Sequence, residues 1–254
     1  MVQVAAGHSH SAAIAWDAKS KSSCLFLWGC NPDSRLMVED VENRTEPSFT
    51  LLESLKKKAA SRKELPEAYE PYSVSLGVTH TAVVTRNGDL YTCGSKADGQ
   101  LGVKFASSQF QNSPINRVPL FGPHNPAVQV RCGDAFCLVL AASQKVFSFG
   151  KGTHGKLGIG PEVTNLPEQC IHEPVQVKGL SKIVDISAGC RHAAAINGKF
   201  LFHLQRRARS TPGASTSTNS SGSATQKRTT TSPSGSSTSK RPRPFPAATS
   251  TPEL

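Results

Sequence analysis

Three histidines share one place in a spaced pattern: His10, His80 and His192 each stand three residues after a glycine, at Gly7, Gly77 and Gly189. Imidazole is a common metal ligand and proton carrier, so these rings are the first candidates for chemistry. A metal would need them to converge. Copies of one repeat position are instead spread over successive units, and His8 beside His10 does not complete a ligand set. The expected role is structural, with each ring bonding neighbouring backbone at a strand entry. A second candidate is the group Gly99, Gly102, Gly152, Gly155, Gly158 and Gly160, with Lys151 and Lys156 beside it. Glycine-rich loops cradle phosphate, but none of these is followed by Lys-Ser/Thr at the required spacing and no helix start follows. They are expected to be turn glycines of positive φ. There is no Gly-x-Ser-x-Gly elbow and no His-Glu-x-x-His, and Glu39, Asp40, Glu42 and Glu46 read as a solvated loop. The expectation is no catalytic residue, no cofactor and no metal.

The elements that hold these residues repeat at a fixed interval. Gly77, Gly133 and Gly189 are 56 residues apart, as are Gly94 and Gly150, and Gly102 and Gly158. A period of this length means that one supersecondary unit has been copied and stacked. Its clearest copy runs from Val74 to Gly102: a β-branched stretch through Val83 and Val84, then Asn87-Gly88, then Leu90-Tyr91-Thr92-Cys93-Gly94, then Gly99-Gln100-Leu101-Gly102. Asn-Gly between two apolar runs predicts a hairpin with a type I′ turn. The next copy carries Gly133, Phe147 to Gly150 and Gly155 to Gly158. The first is stretched, with Trp28-Gly29 arriving late after Gly7. The last opens at Gly189 and keeps Asn197-Gly198 but then decays, reading Leu201-Phe202-His203-Leu204 where the third strand should recur. Short strands, tight turns and this period describe propeller blades, which need stacked neighbours to bury their faces.

The pattern resembles the regulator of chromosome condensation repeat. The residues that carry the likeness are Gly77-Val78-Thr79-His80, Leu90 to Gly94 and Gly99 to Gly102, with further copies at Gly7 to His10, Phe26 to Gly29, Phe147 to Gly150, Gly155 to Gly158 and Gly189 to His192. The chain departs from it at Phe136, which stands in place of His, and at Cys93 and Phe149, which replace the Trp kept at Trp28. The resemblance implies an all-β fold, a partial β-propeller of about three and a half repeats from a seven-bladed superfamily. The expected organisation is repeats over 1–204, at about 1–30, 73–127, 128–182 and 183–204, with a partly helical insertion at 31–72 whose helix lies near Leu51 to Lys58. The repeat-structural residues are then Gly7, His10, Trp28, Gly29, Gly77, His80, Gly94, Gly99, Gly102, Gly133, Gly150, Gly155, Gly158, Gly189 and His192. The resemblance also implies one of two jobs: a rigid protein-docking surface without enzymatic activity, or guanine-nucleotide exchange on a Ran-like small GTPase, in some relatives on chromatin. With only part of a ring present, two further expectations are that the chain is a piece of a longer propeller protein, or that it self-associates to complete the ring.

Of the 254 residues, 37% are hydrophobic and 6% aromatic, which is lean for a packed core, and residues 205–254 account for much of the shortfall. That Ser/Thr/Pro-rich stretch is expected to be a disordered tail, because it buries too little apolar surface to offset its ordering entropy. It also holds much of the net charge of +11, with eight basic residues against Glu253 alone. Arg206, Arg207, Arg209, Lys240, Arg241 and Arg243 form two clusters that suit nuclear import or weak, sequence-blind contact with nucleic acid. The alternative is a solvating tail that binds nothing specific. Seven cysteines with no Cys-x-x-Cys read as buried thiols of a reducing compartment. No apolar run is long enough to span a membrane, so nucleus or cytoplasm is expected.

Overall fold

Runs such as His80-Thr81-Ala82-Val83-Val84-Thr85 combine β-branched residues with turn signals at both ends, and in the computed structural model they form strands. The structure describes residues 3–18, 21–38, 43–49, 69–104, 115–160, 170–198, 200–204 and 225–228. Four antiparallel sheets follow one another along the chain, each with its four strands in sequence order. The first holds β1 (Gln3–Ala6), β2 (His10–Asp17), β3 (Ser22–Gly29) and β4 (Arg44–Phe49). The second holds β5 (Pro71–Leu76), β6 (His80–Thr85), β7 (Leu90–Gly94) and β8 (Asn116–Val118). The third holds β9 (Ala127–Cys132), β10 (Phe136–Ala141), β11 (Val146–Lys151) and β12 (Cys170–Gln176). The fourth holds β13 (Asp185–Ala188), β14 (Ala193–Ile196), β15 (Phe200–Leu204) and β16 (Thr225–Arg228). These are blades of a partial propeller, and no α-helix occurs among the described residues.

Two boundaries differ from the sequence expectation. The outer strand of the first blade, β4, comes from inside the stretch read as an insertion, because a blade needs a fourth strand to pair the free edge of β3. Likewise β16 pairs with β15 from within the stretch read as a disordered tail. The helix expected near Leu51 to Lys58 and the basic clusters at Arg206, Arg207, Arg209, Lys240, Arg241 and Arg243 lie outside the described residues.

The hairpin turns also differ in type. Gly88 N–H donates to Thr85 O (2.9 Å) and Thr85 N–H to Asp89 O (2.9 Å). Gly88 alone of the Asn-Gly pair has positive φ, +83°. This is a tight turn followed by a glycine bulge, not the type I′ turn that needs two left-handed residues. The third blade builds the same turn with Gln144 at φ +61°.

The core lies between blades. Period-two alternation sends Ala82 and Val84 of β6 toward the third blade and Val83 toward the first. In β10, Cys137 and Val139 face the second blade while Leu138 and Leu140 face the fourth. Every residue of β6 and β10 is therefore buried, whereas β2 and β14 bury only alternate positions.

Candidate functional site

The Gly-x-x-His signature has a steric basis. A Cβ on Gly77 would run into His80 Cε1 and meet the carbonyl oxygen of Gly133 in the next blade at 2.7 Å. Glycine is needed there because the ring lies on its Cα and the neighbouring inner strand passes close by. Gly7 and Gly133 make the same approach to Gly77 O and Gly189 O. Gly94 faces His80 across the β6–β7 ladder at φ +113°, where a Cβ would strike Thr79 O. Gly29 and Gly150 occupy the matching places opposite His10 and Phe136.

The histidines do not converge, and two of them reach side chains of the following blade, not local backbone. His10 Nε2 lies 2.9 Å from Thr81 Oγ1, whose hydroxyl donates to Arg35 O (2.7 Å), so Nε2 carries the proton and donates. Burial, with Arg35 and His80 nearby, pushes the His10 pKa down to about 4, which keeps the ring neutral. His80 Nε2 lies 3.1 Å from Cys137 Sγ. His192 is exposed.

The Gly-x-Leu-Gly loops follow the same logic. Gly99, Gly102, Gly155 and Gly158 have positive φ, as expected, whereas Gly152 has φ −97°. The first blade contains the same loop in disguise. Ser34-Arg35-Leu36-Met37 places Ser34 (φ +58°) and Met37 (φ +55°) where the other blades have glycine, and buries Leu36 as they bury Leu101 and Leu157. Sequence reasoning missed it because neither glycine is present; the Arg-Leu pair was the only surviving signal. Arg35, in the place of Gln100 and Lys156, donates to Val78 O (3.0 Å) and Ser9 Oγ (3.2 Å), and so ties the first blade to the second. Lys156 is buried with its ammonium 5.2 Å from the Phe136 ring centroid, and burial lowers its pKa. Trp28 is half-buried, while Cys93 and Phe149 in the matching places are fully buried beneath a preceding blade.

One face is built from the first turn of each blade and the loop after its third strand; its exposed positions include His8, Lys96, Ala97 and His154. Backbone bonds join the two on one side: Ser95 N–H to Thr79 O (3.0 Å), and Lys151 N–H to Ala135 O (2.8 Å). Two ion pairs link the loop after β7 to strands of the third blade: Asp98 with Lys151 at the end of β11 (2.9 Å), and Lys104 with Glu173 of β12 (3.0 Å). The Asp98 carboxylate raises the Lys151 pKa through its hydrogen bond and its charge. Lys96, Cys190 and Arg191 are exposed on the same side. This arrangement offers a rigid, mixed-charge contact surface.

Among the described residues, no helix is long and apolar enough to cross a membrane. Two family models, both described as the regulator of chromosome condensation (RCC1) repeat, match residues 72–100 and residues 87–140 and 144–196. The chain is 31% identical over 187 residues to the mouse secretion-regulating guanine nucleotide exchange factor, covering 72% of this chain and 35% of that protein. It is 29% identical over 197 residues to the ultraviolet-B receptor UVR8 of Arabidopsis thaliana, covering 76% and 38%. The chain thus spans little more than a third of the length of these two relatives. Among solved structures, yeast RCC1 superposes with a TM-score of 0.58 at 18% identity, over 80% of this chain and 43% of the yeast chain. With repeat matches running from 72 to 196 and blades that stack in the same manner, this chain belongs to the regulator of chromosome condensation repeat family.

Proposed function

We propose that this chain is a non-enzymatic docking module of nucleus or cytoplasm that binds protein partners through the face carrying its first turns and third-strand loops. The observation that carries this reading is the fate of the repeat's polar residues. His10, His80, Arg35 and Gln100 are buried and engaged in blade packing, while the loop face presents lysines, arginine and carboxylates on a braced backbone. Binding residues displayed on loops above a rigid scaffold are the usual arrangement for recognition. The test is affinity capture with the chain as bait. Lys96→Glu, Lys104→Glu and Arg191→Glu together should abolish capture, whereas Lys178→Glu with Lys182→Glu, in the connection on the opposite face, should leave it intact. Equal capture by both variants would defeat the assignment of the face.

A second reading is nucleotide exchange on a Ran-like small GTPase, favoured by the likeness to a protein named as a guanine nucleotide exchange factor. Fold-level likeness alone does not establish it. Its test is accelerated release of fluorescent GDP from a panel of small GTPases; unchanged release across the panel would remove it.

A further inference from the structure

One cross-strand pair recurs at the same place in all four blades. It is Ala6 with Ser11 in the first, Leu76 with Thr81 in the second, Cys132 with Cys137 in the third and Ala188 with Ala193 in the fourth. Only the third blade puts two soft donors there. The second blade then delivers a third donor, because His80 Nε2 reaches this position just as His10 reaches Thr81.

The distances suit a shared ligand. Cys132 Sγ lies 3.7 Å from Cys137 Sγ, His80 Nε2 lies 3.1 Å from Cys137 Sγ, and all three donor atoms fall within 4.8 Å of one another. The closeness of the sulfurs follows from the ladder. Gly133 N–H donates to Phe136 O (2.8 Å), so the hydrogen-bonded pair is the one nearer the turn. Cys132 and Cys137 therefore oppose each other at a non-hydrogen-bonded pair, where side chains come nearest. Cys132 N–H is left to bond Ser75 Oγ in the second blade (2.9 Å).

Packing alone does not call for this set. Thr81 satisfies His10 with one hydroxyl, and Leu76 or alanine fills the place of Cys132 in the other blades. A tetrahedral ion with thiolates at about 2.3 Å and imidazole at about 2.0 Å holds two sulfurs roughly 3.8 Å apart and a sulfur and nitrogen roughly 3.5 Å apart. The two sulfurs already meet this, and the His80–Cys137 contact needs only to open slightly. All three residues are buried, so net charge decides which ion fits. Two thiolates cancel a dipositive ion and leave a neutral cluster, whereas a monovalent ion would leave an uncompensated buried charge. The carbonyl oxygens of Ser75 and Gln100, 3.3 Å from Cys132 Sγ and 3.6 Å from Cys137 Sγ, line the remaining side.

We propose that His80, Cys132 and Cys137 bind one Zn²⁺ and so clasp the second and third blades together. Binding releases the two thiol protons to solvent and leaves the ring proton of His80 on Nδ1. That nitrogen makes no hydrogen bond, so the ring is held by its packing against Gly77 and not by an outer hydrogen bond.

The test uses the full chain, reduced, stripped of metal and titrated anaerobically with Co²⁺. The expected result is one Co²⁺ per chain, with a thiolate-to-cobalt charge-transfer band and the strong visible bands of a tetrahedral site, both displaced by Zn²⁺. The thermal midpoint should rise with metal. Cys132→Ala with Cys137→Thr installs residues that other blades use at these places, and should abolish the bands and the metal-dependent rise. His80→Phe, which copies Phe136, should weaken cobalt binding by about 100-fold or more. Only weak octahedral bands, no stoichiometric uptake, or bands that persist in the Cys132→Ala/Cys137→Thr chain would each overturn the site. A Cys132–Cys137 disulfide that survives reduction and excludes metal would overturn it as well. If the double variant fails to fold, Cys132→Ala, which matches Ala6 and Ala188, takes its place.

Discussion

At the scale of single residues, the repeat signature is a set of steric and polar constraints between neighbours. Gly77 is glycine because an added Cβ has no room between the His80 ring and Gly133 O. Gly77→Ala is expected to lose about 2–3 kcal/mol in urea unfolding, since backbone and ring must both move. The third blade replaces the His80/Gln100 pair by Phe136/Lys156, with the cation over the ring. Phe136→His and Lys156→Gln should therefore be non-additive, with a coupling of about 0.5–2 kcal/mol in a double-mutant cycle. Additive losses would mean that the lysine and the ring ignore each other. Sequence alone located these residues but not their partners. The partner of His80 lies 57 positions away, and no local rule names Cys137.

At the scale of elements, the hairpin positions were legible and their turn chemistry was not. Asn87-Gly88 marks the turn, yet the glycine serves one left-handed bulge position that the third blade fills with Gln144. A left-handed non-glycine residue carries strain that glycine relieves, partly offset by the greater freedom of glycine in the unfolded chain. Gln144→Gly is thus expected to raise stability by about 0.5–1 kcal/mol, seen as a higher thermal midpoint; a lower midpoint would show that the side chain contributes something else. Strand β4 was hidden for another reason. Its Arg-Thr-Glu-Pro-Ser-Phe sequence has neither alternation nor β-branched runs, so only the need of β3 for a partner reveals it. The loop at Ser34 to Met37 was equally obscure, because the repeat keeps its backbone there while losing both glycines.

At the scale of the molecule, the fold class followed from the 56-residue interval, while the location of the core did not, because each blade contributes its two faces to different interfaces. Leu138→Ala, between the third and fourth blades, should cost about 2–5 kcal/mol. Ile196→Ala, at a side chain of the fourth blade left 38% exposed, should cost distinctly less, about 1 kcal/mol. Comparable losses at the two sites in denaturant titrations would indicate that something covers the fourth blade in solution.

The complete burial of β6 and β10, beside the half-covered β2 and β14, implies a direction for local opening. Each blade touches only its neighbours, so protection should accumulate toward the middle of the stack. Amide protons of Ala82 to Val84 and Leu138 to Leu140 should then exchange last, and through events that separate whole blades. Those of β1 and β14 should exchange through fraying that leaves the interior intact.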